Sequence, residues 1–390
     1  MGIKLSERVN KLAPSATLAV GRKAKELQAK GVKVLNLSVG EPDLPPPEGA
    51  KDAVISAVNA NLSRYTDSRG TLSLREAICQ RTKEDLRLTY SPNQVVVSCG
   101  SKHSLYNLFQ SLLNPGDEVL IPIPYWTSYP EMVRLAGGVP VFVPAKSGYR
   151  VTPEDLEPFI TPKTRGLILN SPNNPSGAVY EKEEVSAIAD CLLKHKEVIV
   201  ISDDAYQYFL YDDKNFCSIA TFPGMGERTI IVGAASKTYA MTGWRIGWFL
   251  GPQELADAVA KLQDQSTSNP ASLSQEAVRV ALSGNQESVK KMREEFERRR
   301  RLLLERLAPV KGLTYCYPAG AFYFFFTHPE VKNSIEFAGK LLEEAKVALV
   351  PGIAFGMEGY LRLSYAVSEE VLSEAISRLV KVLKGHSCMS

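Results

Sequence analysis

Between about residues 94 and 250 the chain alternates short β-rich runs with helical or loop stretches, and no other feature limits its fold as much. The runs span 94–98, 118–121, 139–143, 166–170, 198–202, 229–232 and 246–250. Several are apolar at consecutive rather than alternate positions, the pattern of strands covered on both faces. Alternation of strands with helices predicts an α/β layer around a largely parallel sheet. Outside this block, residues 1–45 read as helical and then turn-rich. Beyond about 285 come a long charged helix (290–307), a β-like run (321–326) and a closing helix after Ser368. The two ends are expected to pack together as a smaller α+β domain, 1–45 with 286–390, beside a large domain of 46–285. A chain of 390 residues is long enough to bury both cores.

In open α/β sheets ligands bind beyond the carboxyl ends of the strands, and here polar residues gather at four such ends. After Val95-Val96-Val97 come Gly100, Ser101 and Lys102, a small-residue turn opening a helix whose first N–H groups can receive a phosphate. After Leu167-Ile168-Leu169 comes Asn170-Ser171-Pro172-Asn173-Asn174-Pro175-Ser176-Gly177, where two prolines stiffen a turn that can aim an asparagine amide. After Val198-Ile199-Val200-Ile201 come Asp203 and Tyr206. A carboxylate at the end of a buried strand needs a partner. A helix N-terminus or an arginine would serve, and so would a pyridinium N–H, which Asp203 would keep protonated so that the ring acts as an electron sink. Tyr206 could then reach the ring's phenolic oxygen. After Thr229-Ile230-Ile231-Val232 comes Lys237, with Arg245 eight residues on. A lysine desolvated at a sheet edge has a lowered pKa and is nucleophilic toward an aldehyde, while a planar guanidinium suits a phosphate. An aldehyde carrying a phosphate is pyridoxal phosphate. Each feature alone has a plain structural reading, but the four ends together are what a pyridoxal phosphate site requires.

Composition excludes other classes. The apolar and charged fractions, 44% and 23%, are those of a soluble globular protein, and the net charge of +3 is dispersed. The densest basic run, Arg298-Arg299-Arg300-Arg301, is interleaved with Glu294, Glu295, Glu297 and Glu305 and reads as a solvated helix face, with no nucleic-acid partner expected. Cys79, Cys99, Cys191, Cys217, Cys316 and Cys388 are scattered without metal-binding spacing, which suggests reduced thiols, no metal and a cytoplasmic protein. No apolar run reaches membrane-spanning length and no secretory leader opens the chain, so no membrane partner is expected. The N-terminal myristoylation pattern and the triplets at Asn36 and Asn61 read as chance matches. No Gly-x-Gly-x-x-Gly follows a strand, which sets aside a nicotinamide dehydrogenase. The first 45 residues are too short and motif-filled for the DNA-binding segment of a regulatory module.

The chain resembles the fold-type I, pyridoxal-phosphate-dependent aminotransferases of class I, most of all the bacterial-type aspartate aminotransferases. The resemblance rests on Pro14-Ser15-Ala16-Thr17, Gly40-Glu41-Pro42-Asp43, Pro124-Tyr125-Trp126-Thr127-Ser128-Tyr129-Pro130, Asn173-Asn174-Pro175, the Lys237 segment and Leu361-Arg362-Leu363-Ser364-Tyr365. It implies a large domain with a mixed, mostly parallel seven-stranded sheet covered by helices. It implies that Lys237 bonds the cofactor aldehyde and then moves the proton between substrate and cofactor, with Asp203 on the pyridine nitrogen. Tyr206 and Asn174 would bond the phenolic oxygen, and Trp126 would stack on the ring. Gly100, Ser101, Lys102 and Arg245 would surround the phosphate, joined by Tyr65 of a neighbouring subunit in a homodimer with shared sites. Many relatives have a phosphate-binding serine where this chain has Ala234, which leaves open whether Ser236 supplies that contact. Arg362 would clamp the substrate α-carboxylate, with Gly40 allowing close backbone approach. Lys102, Ser15 and Thr17 would meet a distal carboxylate, implying aspartate or glutamate with 2-oxoglutarate or oxaloacetate. The same lysine and threonine also suit prephenate, and a C–S lyase shares the fold.

Overall fold

A computed structural model describes residues 3–10, 12, 13, 16–146 and 148–384, the side chains of 16–18 excepted. Seven strands form the large sheet: β1 (Val95–Ser98), β2 (Glu118–Ile123), β3 (Val139–Pro144), β4 (Thr164–Asn170), β5 (Ile199–Asp203), β6 (Thr229–Ala234) and β7 (Gly247–Leu250). Their spatial order is β1-β7-β6-β5-β4-β2-β3. Only β7 runs against its neighbours, so the sheet is mixed and mostly parallel, as expected.

Consecutive apolar residues are explained by helices on both faces. Val96, Ile168, Ile230 and Val232 pack with Leu105, Leu108 and Phe109 of the helix Ser101–Leu112. The alternating residues Val95, Val97 and Ile231 pack the other way, against Leu74 and Ile78 of Leu72–Leu86 and Val278 of Ser272–Ser283.

A second, antiparallel sheet orders Val350–Pro351, Tyr360–Ser364, Tyr323–Thr327 and Thr314–Tyr315 side by side. Residues Leu35–Asn36 pair in parallel with Val347–Ala348, which joins the two ends of the chain. The β-like run begins two residues later than expected and ends one later, its first member Ala321 taking a left-handed turn (φ 56°) before the strand begins. Leu35, Leu37, Phe296, Phe324, Phe326, Leu361 and Leu379 share one core, into which Tyr206, Phe209 and Tyr211 reach from beyond β5.

The basic run differs from its expected solvated face. On the helix Glu287–Leu307, Arg299 and Arg300 are only 4% and 1% exposed. Arg299 donates to Asp43 at 2.7 Å, and Arg300 grips Asp212 with two bonds of 2.6 Å. Four consecutive helical residues sweep about 300°, so they cannot all face water. Arg298 and Arg301 take the exposed positions, paired with glutamates.

Candidate active site

A cleft of about 260 Å³ opens beyond the carboxyl ends of β4, β5 and β6. It brings together Gly40, Ser101, Lys102, Trp126, Asn174, Asp203, Tyr206, Ser236, Lys237, Arg245 and Arg362, residues far apart in the chain. Tyr65 stands outside it and is 93% exposed. Ser15 lies outside the described residues. Thr17 belongs to the helix Ala16–Ala29, and its side chain is likewise outside them.

One end of the cleft is built for an anion. Gly100 caps the helix Ser101–Leu112 with φ +87°, and a Cβ there would lie 2.4 Å from an Arg245 guanidinium nitrogen. A Cβ on Gly247 would lie 2.1 Å from the Ser101 nitrogen, so two glycines allow turn, strand and arginine to close up. The first N–H groups of the helix have no intrahelical acceptor and point out of its end. Arg245 donates to the carbonyls of Thr242 (2.7 Å) and Cys99 (3.3 Å), and no carboxylate among the described residues pairs with it. Ala234 and the hydroxyl-bearing Ser236 also line the cleft.

Lys237 follows β6 in the single turn Ala235–Thr238, and its Nζ donates to the Gly40 carbonyl at 2.5 Å. Burial brings its pKa down to about 8. Glu41 opposes the fall, and Arg362, Arg245 and Lys102 add to it. Asp203 ends β5, where burial raises its carboxyl above the ordinary range. The Tyr129 hydroxyl (2.6 Å) and the Ala205 N–H (3.3 Å) stabilise the anion, and no cation pairs with it among the described residues.

Asn170 ties this strand end to the next turn. Its Nδ2 donates to the Asp203 carbonyl and its Oδ1 accepts from the Asn174 N–H, both at 2.9 Å. Asn174 Oδ1 in turn accepts from Arg362 at 2.9 Å. A guanidinium can only donate, which turns the Asn174 Nδ2 donors away from Arg362.

Arg362 is 2% exposed and lies between two rings, its carbon 4.6 Å from the centre of Tyr323 and 5.0 Å from that of Phe355. Its second bond goes to the Ser38 carbonyl at 2.6 Å, and its Nε is buried without a partner. Lys102 Nζ lies 5.0 Å above the Trp126 ring, and burial beside Arg245 lowers its pKa. Trp126 in turn meets Tyr129 edge to face at 5.3 Å.

Gly40 lines the cleft and also makes room for a tyrosine, since a Cβ there would fall 2.1 Å from the Tyr323 hydroxyl. Three participants go unmentioned in the sequence reading of roles: Tyr129, Asn170 and Tyr323. Tyr129 and Asn170 stand inside motifs already singled out, three and four residues from Trp126 and Asn174. Tyr323 carries no local signal, being one aromatic in a run of them.

Pyridoxal phosphate would satisfy these groups at once. Its phosphate answers the helix end and Arg245, its protonated ring nitrogen answers the uncompensated Asp203, its ring face fits Trp126, and its aldehyde meets a desolvated amine. Fold and cleft thereby define a pyridoxal-phosphate enzyme of fold type I. Residues 32–379 match the model of the family described as aminotransferase class I and II, and the chain belongs to that family. It is 44% identical over 394 residues to the aspartate aminotransferase of Geobacillus stearothermophilus, covering 99% of this chain and 100% of that one. It is also 44% identical to the aspartate/prephenate aminotransferase of Cereibacter sphaeroides, covering 98% and 99%. The solved aspartate aminotransferase of Thermus thermophilus with maleate superposes with a TM-score of 0.93 at 42% identity, covering 98% of this chain and all of that one.

Proposed function

We propose that this aminotransferase moves the amino group between aspartate or glutamate and the 2-oxo acids oxaloacetate or 2-oxoglutarate, in the two half-reactions of a ping-pong cycle. Arg362 carries this reading. It is a buried guanidinium with only neutral partners, facing the same cleft as Lys237. A buried cation left without an anion is unfavourable, and a substrate α-carboxylate supplies one. Lys102 is a second cation in that cleft, and an acidic substrate side chain would gain an attraction to it that an apolar one lacks, which favours a dicarboxylic substrate. Ser15 and Thr17 would add hydroxyls to that distal carboxylate. The Thermus relative solved with maleate, a dicarboxylate, supports the same choice.

When bound, pyridoxal phosphate supplies an aldehyde that condenses with amines and a ring that takes up the electron pair released at the substrate Cα. Gly100, Ser101, Lys102, Ser236 and Arg245 would hold its phosphate. Asp203 would keep the ring nitrogen protonated, held in line by Tyr129. Tyr206 and the free Nδ2 donors of Asn174 would turn to the phenolic oxygen, and Trp126 would cover the ring. Lys237 Nζ would anchor the cofactor at rest. Released as a free amine, it would take the proton from the substrate Cα and return it on the far side of the transfer. Gly40 would lie along the substrate backbone.

The division into 46–285 and 1–45 with 286–390 is supported by the separate cores on the two sheets. Exposed Tyr65 would serve the phosphate of a second subunit, making a homodimer. The free cysteines among the described residues suit the cytoplasm.

The test is the absorption spectrum of the purified protein before and after L-aspartate, with no keto acid present. Loss of the visible band with growth of a near-ultraviolet band is expected. A visible band that aspartate leaves unchanged would move the substrate to prephenate with glutamate, prephenate being one of the two substrates in the name of the Cereibacter relative. No band after addition of pyridoxal phosphate would overturn the reading at Lys237.

A further inference from the structure

Tyr206 does not face the cleft alone. Its hydroxyl lies 2.7 Å from that of Tyr323, and the two rings meet edge to face at 5.6 Å. Tyr323 is the first residue of the strand Tyr323–Thr327 and is almost completely buried. The neighbouring strand sets Arg362 opposite Phe325, on the face that Tyr323 shares two residues away. That register lays the guanidinium over the Tyr323 ring. The Tyr323 hydroxyl also abuts Gly40, whose carbonyl holds Lys237.

Two hydroxyls in contact carry two protons, and only one of them lies between the oxygens. If Tyr206 donated, the Tyr323 proton would point at the packed backbone of Gly40, and no other acceptor among the described residues takes it. If Tyr323 donates, Tyr206 keeps its proton for the cleft that it lines. The guanidinium favours the second arrangement, because a cation over the ring makes a phenol a stronger acid and a better donor. Burial raises both phenols, Tyr206 well above its ordinary value, and Arg362 pulls both back. The other charged or titratable groups facing the pair are Asp203, Tyr129 and Tyr365.

We propose that Tyr323 is a positioning residue for amino transfer: by donating to Tyr206 it fixes the Tyr206 proton toward the phenolic oxygen of the cofactor and links that proton to Arg362. The proposal rests on the reading of this cleft as the pyridoxal phosphate site. Hydrogen bonds in series strengthen one another, so Tyr206 is a stronger donor with Tyr323 behind it. A stronger donor favours the deprotonated form of the bound cofactor and lowers the pH at which its visible band titrates.

The experiment titrates that band in protein loaded with pyridoxal phosphate, comparing wild type, Tyr323→Phe, Tyr206→Phe and the double variant. Tyr323→Phe keeps the ring under Arg362 and is expected to raise the midpoint by about 0.5 pH unit, a change of about threefold in the proton equilibrium. Tyr206→Phe should raise it further, and adding Tyr323→Phe to that background should change nothing more. Replacing Tyr323 with 3-fluorotyrosine keeps the hydroxyl, strengthens it as a donor, and should lower the midpoint. An unmoved midpoint in the single variants, or equal shifts in both backgrounds, would overturn the proposal. A wild-type protein with no visible band at any pH would overturn the cofactor reading itself.

Discussion

Lys237 releases its proton at a lower pH in the folded apoprotein than in the unfolded chain. Its pKa is about 8 in the fold against an ordinary 10.5. Between those values the unfolded chain binds the proton and the folded chain does not, so stability rises with pH across that window. Below the lower value the folded state must carry a buried ammonium, a penalty on the order of 3 kcal/mol. Lys237→Met removes the charge and keeps the length. Its apoprotein should therefore melt a few degrees above wild-type apoprotein at pH 7, with the gap closing as the pH passes 10.5. Equal melting temperatures at pH 7 would show that the amine is not desolvated. Residues of this kind are legible in the sequence because each follows a buried strand directly, as Asn174, Asp203 and Lys237 do. Tyr129 and Tyr323 are not legible as participants. A tyrosine among apolar neighbours reads as core, and its hydroxyl's partner is chosen only when distant strands meet.

At the scale of elements, the anion-binding end depends on a backbone that only glycine adopts easily. Gly100 combines φ +87° with ψ 158°, a region costing other residues about 1–3 kcal/mol, and an added methyl would press on Arg245. Gly100→Ala should weaken binding of pyridoxal phosphate by roughly tenfold or more while leaving most of the apoprotein's stability intact. Titration of the cofactor by absorbance checks this, and unchanged affinity would remove the turn from the phosphate site. The strands themselves could be read from the sequence, since runs such as 229–232 are apolar on both faces. Not every end could: the run 198–202 stops short of Asp203, which pairs in register with Asn170 although both are polar, because pairing in a sheet depends on the neighbouring strand rather than on side-chain polarity. The basic helix departs from its expected solvated face for a related reason: composition gives the solvated face of a helix but not its rotation about its own axis.

For the whole molecule, the open question in the sequence is what covers Tyr65. If it completes the site of a second subunit, two defective chains can repair one another. A mixture of Lys237→Ala and Tyr65→Ala chains, allowed to exchange subunits, would form dimers in which one site has both residues intact. At limiting pyridoxal phosphate the mixture should exceed the summed activity of the separate variants, and activity equal to that sum would place Tyr65 outside any shared site. Domain boundaries are another matter. Arg299 and Arg300 are neighbours on one helix, yet one reaches back to Asp43 and the other across to Asp212. Cutting the chain between residues 285 and 286 would strip Asp212 of its arginine and uncover Phe209 and Tyr211, which belong to the core built mostly from later residues. The two halves are therefore not interchangeable cassettes: a chimaera that swaps the carboxyl-terminal part must carry Asp43 and Asp212 with it, or supply their charges anew.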